Sequence, residues 1–413
     1  MQRLQMSSSA DKRMRVGILT QYYPPEIGAP AARLSELAAR LQERGHEVVV
    51  LSAMPNYPAG RIYPGYGGLA VREQQEGIGV LRSWIWPTMS PAVVPRMLSY
   101  LSFVVSSGLI GFRRLPRLDV LITESPPLLL GISGFVLSRL KRARWVFNVS
   151  DLWPESAVVL GVLGDGPATR LAYRLEAFCY RRAWRVSCQS REIRASVERR
   201  FPEVGTLAFF NGVDTDRFSP GYRSEDLRRE IAAGAGCVAL YAGLHGIAQG
   251  LDQLLAAAEE LAAEDLRIVL IGDGPEKAAL LEEAKARGLR NITFLPPRPR
   301  EAMPALVASA DIAIVPLKSM IPGAVPSKLY EAMASQLPVV LVAQGEAAEI
   351  VRSSQSGIVV RPGDISGLAE GLRRLVRSAD ERFRLGAAGR AAAIEHFDRR
   401  RLSDHFIEAL ESA

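Results

Sequence analysis

Short runs of β-branched and aliphatic residues alternate with longer stretches of helical period along this chain. Arg15–Leu19 (RVGIL) reads as a strand. A loop, Thr20–Ala29, leads into a helix over residues 30–44, and Pro30 suits its first turn because the ring presets a helical φ. Gly45 stops that helix, and Glu47–Leu51 is the next strand. Val120–Thr123, Trp145–Val149 and Val186–Gln189 continue the pattern, and the alternation Trp84, Ile85, Trp86 reads as a half-buried strand. After a polar helical connector, Ser224–Ala233, a second series begins. Its strands are Val238–Ala242, Ile268–Gly272, Ile292–Leu295, Ile312–Val315, Val339–Val342 and Gly357–Val360. Amphipathic stretches such as Leu251–Ala262 separate them, and two more, Asp380–Phe397 and Arg399–Leu410, close the chain. Such alternation predicts parallel sheets covered by helices on both faces. Two series predict an α/β chain of two Rossmann-like domains facing across a cleft, because ligands of such sheets sit beyond the strand C-termini. The expected domains are 1–215 and 216–394, with a last helix, 395–413, packing back on the first.

The stretch 325–340 (VPSKLYEAMASQLPVV) carries the most chemistry. Pro326, Ser327 and Lys328 stand at a predicted helix start, with Glu331 one turn in. The helix ends near Gln336, where glycine is usual, so a mildly strained cap is expected there. A helix start offers unpaired backbone N–H groups and partial positive charge, and so holds phosphate. Lys328 adds a full charge, and Glu331 can accept hydrogen bonds from sugar hydroxyls. A pyrophosphate and a ribose at one helix start describe a nucleotide-sugar site. A serine N-cap and a solvated Lys–Glu pair would explain the same residues structurally, so the rest of the chain has to decide.

Composition narrows the choice. With 413 residues, 48% apolar and 23% charged, the chain is globular. Three cysteines form no CxxC pair, which fits a reducing compartment and a cytoplasmic location. Residues 1–16 contain no apolar core of the secretory kind and read as a leader without fixed structure. Lys and Arg outnumber Asp and Glu by 27 to 16 in residues 1–205, whereas residues 206–413 carry 24 against 28. The basic first half has clusters at Arg113, Arg114 and Arg117, at Arg139–Arg144 and at Arg181–Arg185, a face suited to anionic headgroups. Met97–Phe112 is uncharged for 16 residues but carries four serines. It reads as a buried or interfacial helix, not a span. No GxGxxG follows the first strand, which disfavours a nicotinamide oxidoreductase. No helix–turn–helix or aromatic RNA-binding signature is present, so nucleic acid is not an expected partner. Asp214-Thr-Asp216 spells a metal-binding DxD but sits in a linker and reads as turn chemistry, so no metal is assigned.

Several blocks, in order, point further: YYPPEIGAPAARLSELAARLQERGHEVVVLS at 22–52, SDLWPES at 150–156, NGVDTDRF at 211–218, YAG at 241–243, GDGP at 272–275 and VPSKLYEAMAS at 325–335. With these the chain resembles the bacterial glycosyltransferases of family 4, of GT-B fold. In look it is nearest the fucosaminyl and colanic-acid fucosyl transferases of surface-polysaccharide synthesis. The resemblance implies retaining transfer of a sugar from a nucleotide donor, with no metal and no further cofactor. It makes Gly28 the glycine whose backbone approaches the donor phosphates. Lys328, Ser327 and the helix amides become the diphosphate site, and Glu331 the ribose ligand. Arg298 becomes the position whose backbone meets the base, and Asp151 the aspartate near the transferred sugar. Gly243 closes the strand beside the diphosphate.

Four positions depart from the family pattern. Ser150 stands where the family has histidine, and Gly323 stands where it has the first of two glutamates, so backbone around Pro322–Val325 would contact the sugar instead. Leu244 and Gln249 stand near the places of the Arg/Lys pair that grips the diphosphate. Lys328 then carries most of that charge, with His245 as a further donor. The expected activity is transfer from a UDP-sugar, such as an N-acetylated deoxyhexose, to a lipid-linked saccharide. The enzyme would work at the inner face of the cell membrane, held there by the basic first domain. A GDP-sugar transferase of the same fold and a UDP-sugar epimerase are the alternatives.

Overall fold

The computed structural model describes residues 13–57, 59–90 and 92–412. The leader reading of residues 1–16 lies outside them up to residue 12 and is corrected at Arg15 and Val16, which begin a strand. The chain divides into two compact units, Met1–Phe209 with Ser403–Ala413, and Phe210–Leu402.

The first unit is built on β1 (Arg15–Thr20), β2 (Glu47–Ala53), β3 (Ala70–Gln75), β4 (Ile78–Ser83), β5 (Val120–Ser125), β6 (Arg144–Val149), β7 (Arg185–Cys188) and β8 (Thr206–Ala208). Their order is β3-β4-β2-β1-β5-β6-β7-β8. Every neighbour pair is parallel except the β3–β4 hairpin. The order reverses between β1 and β5, where Ile18 lies between Val50 and Ile122. Crevices for ligands open beyond the strand C-termini at such a switch point. Helix α1 (Ala29–Glu43) buries Leu34, Leu37, Ala38 and Leu41, a helical stripe laid on the sheet. Gly45, at φ +86, ends it as expected. Helix α2 (Val93–Arg114) and helix α3 (Leu130–Lys141) cover another part of the sheet, with Phe103, Leu130 and Leu137 buried in one core cluster.

The final helix, Arg399–Glu411, returns the chain to this unit. Its Phe406 stacks on Phe209 at 4.6 Å, and both are buried. Asp404 takes a two-pronged ion pair from Arg40, at 2.7 and 2.8 Å.

The second unit carries β9 (Cys237–Ala242), β10 (Leu266–Ile271), β11 (Ile292–Leu295), β12 (Ile312–Pro316), β13 (Val339–Val342) and β14 (Gly357–Val360). The sheet is all parallel, in the order β11-β10-β9-β12-β13-β14. Its switch point lies between β9 and β12. Both sheet faces are covered, by clusters around Val238, Leu240 and Leu341 on one side and Ile268, Leu270 and Ile314 on the other. Burial on both faces is why these strands read as continuous aliphatic runs.

The reading of Trp84–Trp86 as a strand is corrected. Strand β4 ends at Ser83, and both tryptophans are part exposed around a buried Ile85. The alternation is real, but the ladder gives out here: a last bond runs from the Trp84 N–H to the Leu69 carbonyl at 3.1 Å, and the backbone N–H of Trp86 turns to Ser102 Oγ instead.

Candidate functional site

The C-terminal ends of β9 and β10 turn sharply. Gly243 has φ +150, which favours glycine, and its N–H donates to the Ile271 carbonyl at 2.8 Å. The β10 turn comes so close that a Cβ on Gly272 would stand 1.9 Å from the Gly243 oxygen. A Cβ on Gly243 would stand 2.1 Å from Lys328 Cε and 2.6 Å from its Nζ. The lysine therefore lies along the bare face of Gly243, with Nζ 5.3 Å from the centre of the Tyr241 ring. Two motifs 85 positions apart, YAG and VPSK, meet here.

Lys328 sits in the first turn of the helix Ser327–Ala334, which follows Pro326 and has no side-chain cap. The helix forms because Pro326, extended at ψ 132, sets its entry, and Leu329, Tyr330, Ala332 and Met333 anchor it in the core. It ends as expected, with Gln336 forced to φ +63. Among the described residues Lys328 has no ion pair and no hydrogen bond. Desolvation holds its ammonium below the ordinary lysine value, opposed by the Glu331 carboxylate. Glu331 is the mirror case: desolvation raises its carboxyl, and Lys328, Arg399, Arg300 and Arg217 pull it back. Those three arginines were not singled out in the sequence. They come from separate segments, and only the fold gathers them.

His245 follows on the same loop. It is fully buried, and neither ring nitrogen reaches a partner at hydrogen-bond geometry. Burial, then the Lys277 charge, lowers its pKa to about 4, so the ring is neutral near pH 7. Gln249 closes the short helix Ile247–Gln249 with its amide oxygen buried and unpartnered, and Leu244 is exposed. Gly323 has φ +73 in a turn closed by the Ala324 N–H on the Ile321 carbonyl at 3.1 Å. That backbone disfavours a glutamate, which gives the missing carboxylate a physical reason. Pro322 precedes it, half-buried. The Arg298 guanidinium ion-pairs with Glu230 through Nη2 at 2.6 Å. Asp214 accepts the N–H groups of Asp216 and Arg217, at 3.1 and 3.0 Å, as a turn aspartate does.

In the first unit, Gly28 caps α1 on an exposed loop. A Cβ there would find only Pro30 Cδ within 4 Å, at 3.9 Å. Its backbone is extended, at φ 168, so the protein itself does not demand glycine here. Asp151 follows β6. Its half-buried carboxylate accepts from Ser156 Oγ at 2.8 Å, and desolvation raises its pKa against that hydrogen bond. Ser150 faces inward to a buried network that sequence reasoning missed. Arg33 Nη2 lies 2.6 Å from both Glu124 Oε1 and Ser150 Oγ. Asn148 Nδ2 donates to Glu124 Oε2 at 2.5 Å, and Ser187 Oγ to Asn148 Oδ1 at 2.6 Å. Arg33 and Glu124 are each almost wholly buried. The 91 positions between them left no local signal. A second buried arginine, Arg82, ion-pairs with Glu73 at 2.8 Å and also donates to the Pro24 carbonyl, which steadies the loop that leads to Gly28.

Each unit also matches known proteins. Residues 28–209 match the model of the glycosyl transferase 4-like domain, and residues 225–392 that of glycosyl transferases group 1. WcaI of Escherichia coli (strain K12), assigned to colanic acid biosynthesis as a glycosyl transferase, is 28% identical over 374 residues, covering 87% of this chain and 92% of WcaI. A GDP-mannose-dependent alpha-mannosyltransferase of Mycolicibacterium smegmatis is 26% identical over 387 residues, covering 92% and 93%. Among solved structures, Anabaena HepE in complex with UDP-glucose superposes with a TM-score of 0.73 at 19% identity, over 97% of this chain and 100% of that one. With both halves matched and both Rossmann-like sheets in place, the chain belongs to the family 4 glycosyltransferases of GT-B fold.

Proposed function

We propose that this glycosyltransferase moves a sugar, such as an N-acetylated deoxyhexose, from a UDP-sugar to a lipid-linked saccharide in surface-polysaccharide synthesis, with retention of configuration. The carrying observation is Lys328: a desolvated ammonium without an ion pair, at a helix start, lying on a glycine. A diphosphate there would give the lysine its missing counter-charge and accept the helix amides. Glu331 would take the ribose hydroxyls. Backbone at Pro322 and Gly323 would meet the sugar, with Gln249 and neutral His245 as uncharged donors in place of the usual cations.

The diphosphate leaves first in this reading, and its growing charge is stabilised by donors already in place. The leaving phosphate takes the acceptor's proton, so no tuned base is needed. Asp151 would orient a sugar hydroxyl, and the Gly28 backbone would approach the phosphates. The likeness to HepE, solved with UDP-glucose, and to WcaI supports a UDP donor and a polysaccharide product. A GDP-sugar donor is the second reading, favoured by the mannosyltransferase likeness.

The test is turnover of labelled UDP- and GDP-sugars with and without a lipid extract from polysaccharide-producing cells. Label entering the solvent-extractable lipid only when extract is present supports transfer. Conversion of the sugar nucleotide without extract would replace this reading with the epimerase.

A further inference from the structure

Helix α2 has an outer face that none of the described residues covers. Val94, Leu98, Leu101, Val105, Leu109 and Phe112 follow one another at spacings of three and four, and all are exposed, Val94 by 68% and Val105 by 60%. The neighbouring helix α3 continues the patch with exposed Ile132, Val136 and Leu140, again four apart. The two helices are fastened side by side. Ser133 Oγ lies 3.1 Å from Ser107 Oγ and donates to the Val104 carbonyl at 2.6 Å. At the C-terminal end, Lys141 Nζ donates to the carbonyls of Phe112 and Leu115, at 2.8 and 2.7 Å. One continuous apolar surface results, larger in kind than the scattered exposed leucines of an ordinary surface.

Among the described residues α2 is the one helix long and apolar enough to cross a membrane. Its other side prevents that. Phe103, Ser107 and Gly111 are buried, and a Cβ on Gly111 would stand 2.8 Å from Leu137 and 2.9 Å from Leu51. The helix is part of the unit's core and can only lie flat against another phase.

Charge identifies that phase. The chain has no Asp or Glu between Glu76 and Asp119, and none between Glu124 and Asp151. The C-terminal ends of both helices carry cations: Arg113 and Arg114 on one, Arg139 and Lys141 on the other, with Arg142 just beyond. Arg113, Arg114, Arg139 and Arg142 have no ion pair among the described residues. Trp84 and Trp86 stand beside α2, the latter tied by its backbone N–H to Ser102 Oγ at 2.8 Å. Part-exposed tryptophans with a polar end suit a water–hydrocarbon boundary. A second copy of this face would oppose one cationic rim to another, whereas an anionic bilayer offers both complements at once.

We infer that the α2–α3 face is a monotopic membrane surface that inserts its apolar stripe between the acyl chains of an anionic bilayer, with the arginine rim on the headgroups. The depth would be about 5–10 Å, as for other amphipathic helices lying in the interface. This deepens the lipid-linked acceptor reading. It is tested without donor or acceptor, so either can fail while the other stands.

The experiment is flotation of the full chain with vesicles of phosphatidylethanolamine and phosphatidylglycerol at 3:1, against neutral phosphatidylcholine vesicles. Wild type should float with the anionic vesicles and keep part of that binding in 0.5 M salt. Leu98→Glu/Leu109→Glu, both at exposed positions, should lose binding by at least ~10-fold with an unchanged thermal transition. Insertion depth is read separately from Val105→Trp, whose emission should shift to the blue and be quenched by brominated acyl chains. Equal flotation of the double glutamate variant, complete loss of wild-type binding in salt, or no quenching would overturn the inference. So would light scattering that shows a dimer dissociated by the same two glutamates, since a second copy would then own the face.

Discussion

Removal of Arg33 exposes how much the buried network beneath Ser150 contributes. Arg33 and Glu124 are 1% and 2% exposed and 2.6 Å apart. Breaking such a pair from one side leaves an uncompensated charge and costs about 3–5 kcal/mol, whereas replacing both partners together is often near neutral. In Arg33→Met the glutamate keeps Asn148 and Ser150, so the low end, about 3 kcal/mol, is expected. In Arg33→Met/Glu124→Gln the amide can still accept from Asn148 and donate to Ser150, and most of that loss should return. All five tryptophans, at 84, 86, 145, 153 and 184, lie in the first unit, so urea unfolding followed by tryptophan fluorescence reads that unit alone. With an m-value of about 2–3 kcal/mol/M, the single variant should lower the midpoint by about 1–1.5 M, and the double variant by under ~0.5 M. Additive losses in the double variant would refute the reasoning, because they would mean that the two groups stabilise the unit independently.

Three further outcomes follow from the second unit. Gly243→Ala puts a methyl group where Lys328 lies and should weaken nucleotide binding at least ~10-fold by calorimetry, with the lysine displaced. Gly323→Ala, at φ +73, should cost about 1 kcal/mol in urea unfolding followed by circular dichroism. His245, lowered to about 4, binds its proton more weakly folded than unfolded. Stability of the second unit should therefore fall as pH drops from about 6.5 to 4, by about 3 kcal/mol at most, and His245→Phe should flatten that slope while staying near neutral at pH 8.

The strands were legible because most are buried on both faces, so their aliphatic runs stand out. The β3–β4 hairpin was not, since Ala70–Gln75 is an edge strand of mainly polar residues with no aliphatic run; the signal that could have found it is the two-residue turn Glu76–Gly77, both at positive φ, which joins Gln75 to Ile78. Lys328, Glu331 and Gly243 were legible as motifs, but the contact between Lys328 and Gly243 spans 85 positions and needs the sheet order to exist. The same holds for Arg33 with Glu124, and for the arginines at 217, 300 and 399 that surround Glu331. The uncharged run Met97–Phe112 was visible, yet which side of it faces outward depends on α3 packing against it.

The most direct measurement is a thermal-shift panel of UDP, GDP, ADP and CMP on wild type and Lys328→Ala. A nucleotide at 100 times its dissociation constant stabilises the folded state by about 2.7 kcal/mol. The account predicts a shift with UDP that disappears in Lys328→Ala, and a GDP shift lost in the same way would move the donor to a GDP-sugar. A nucleotide shift of equal size in Lys328→Ala, or no shift in wild type with any of the four, would contradict a diphosphate site at Lys328.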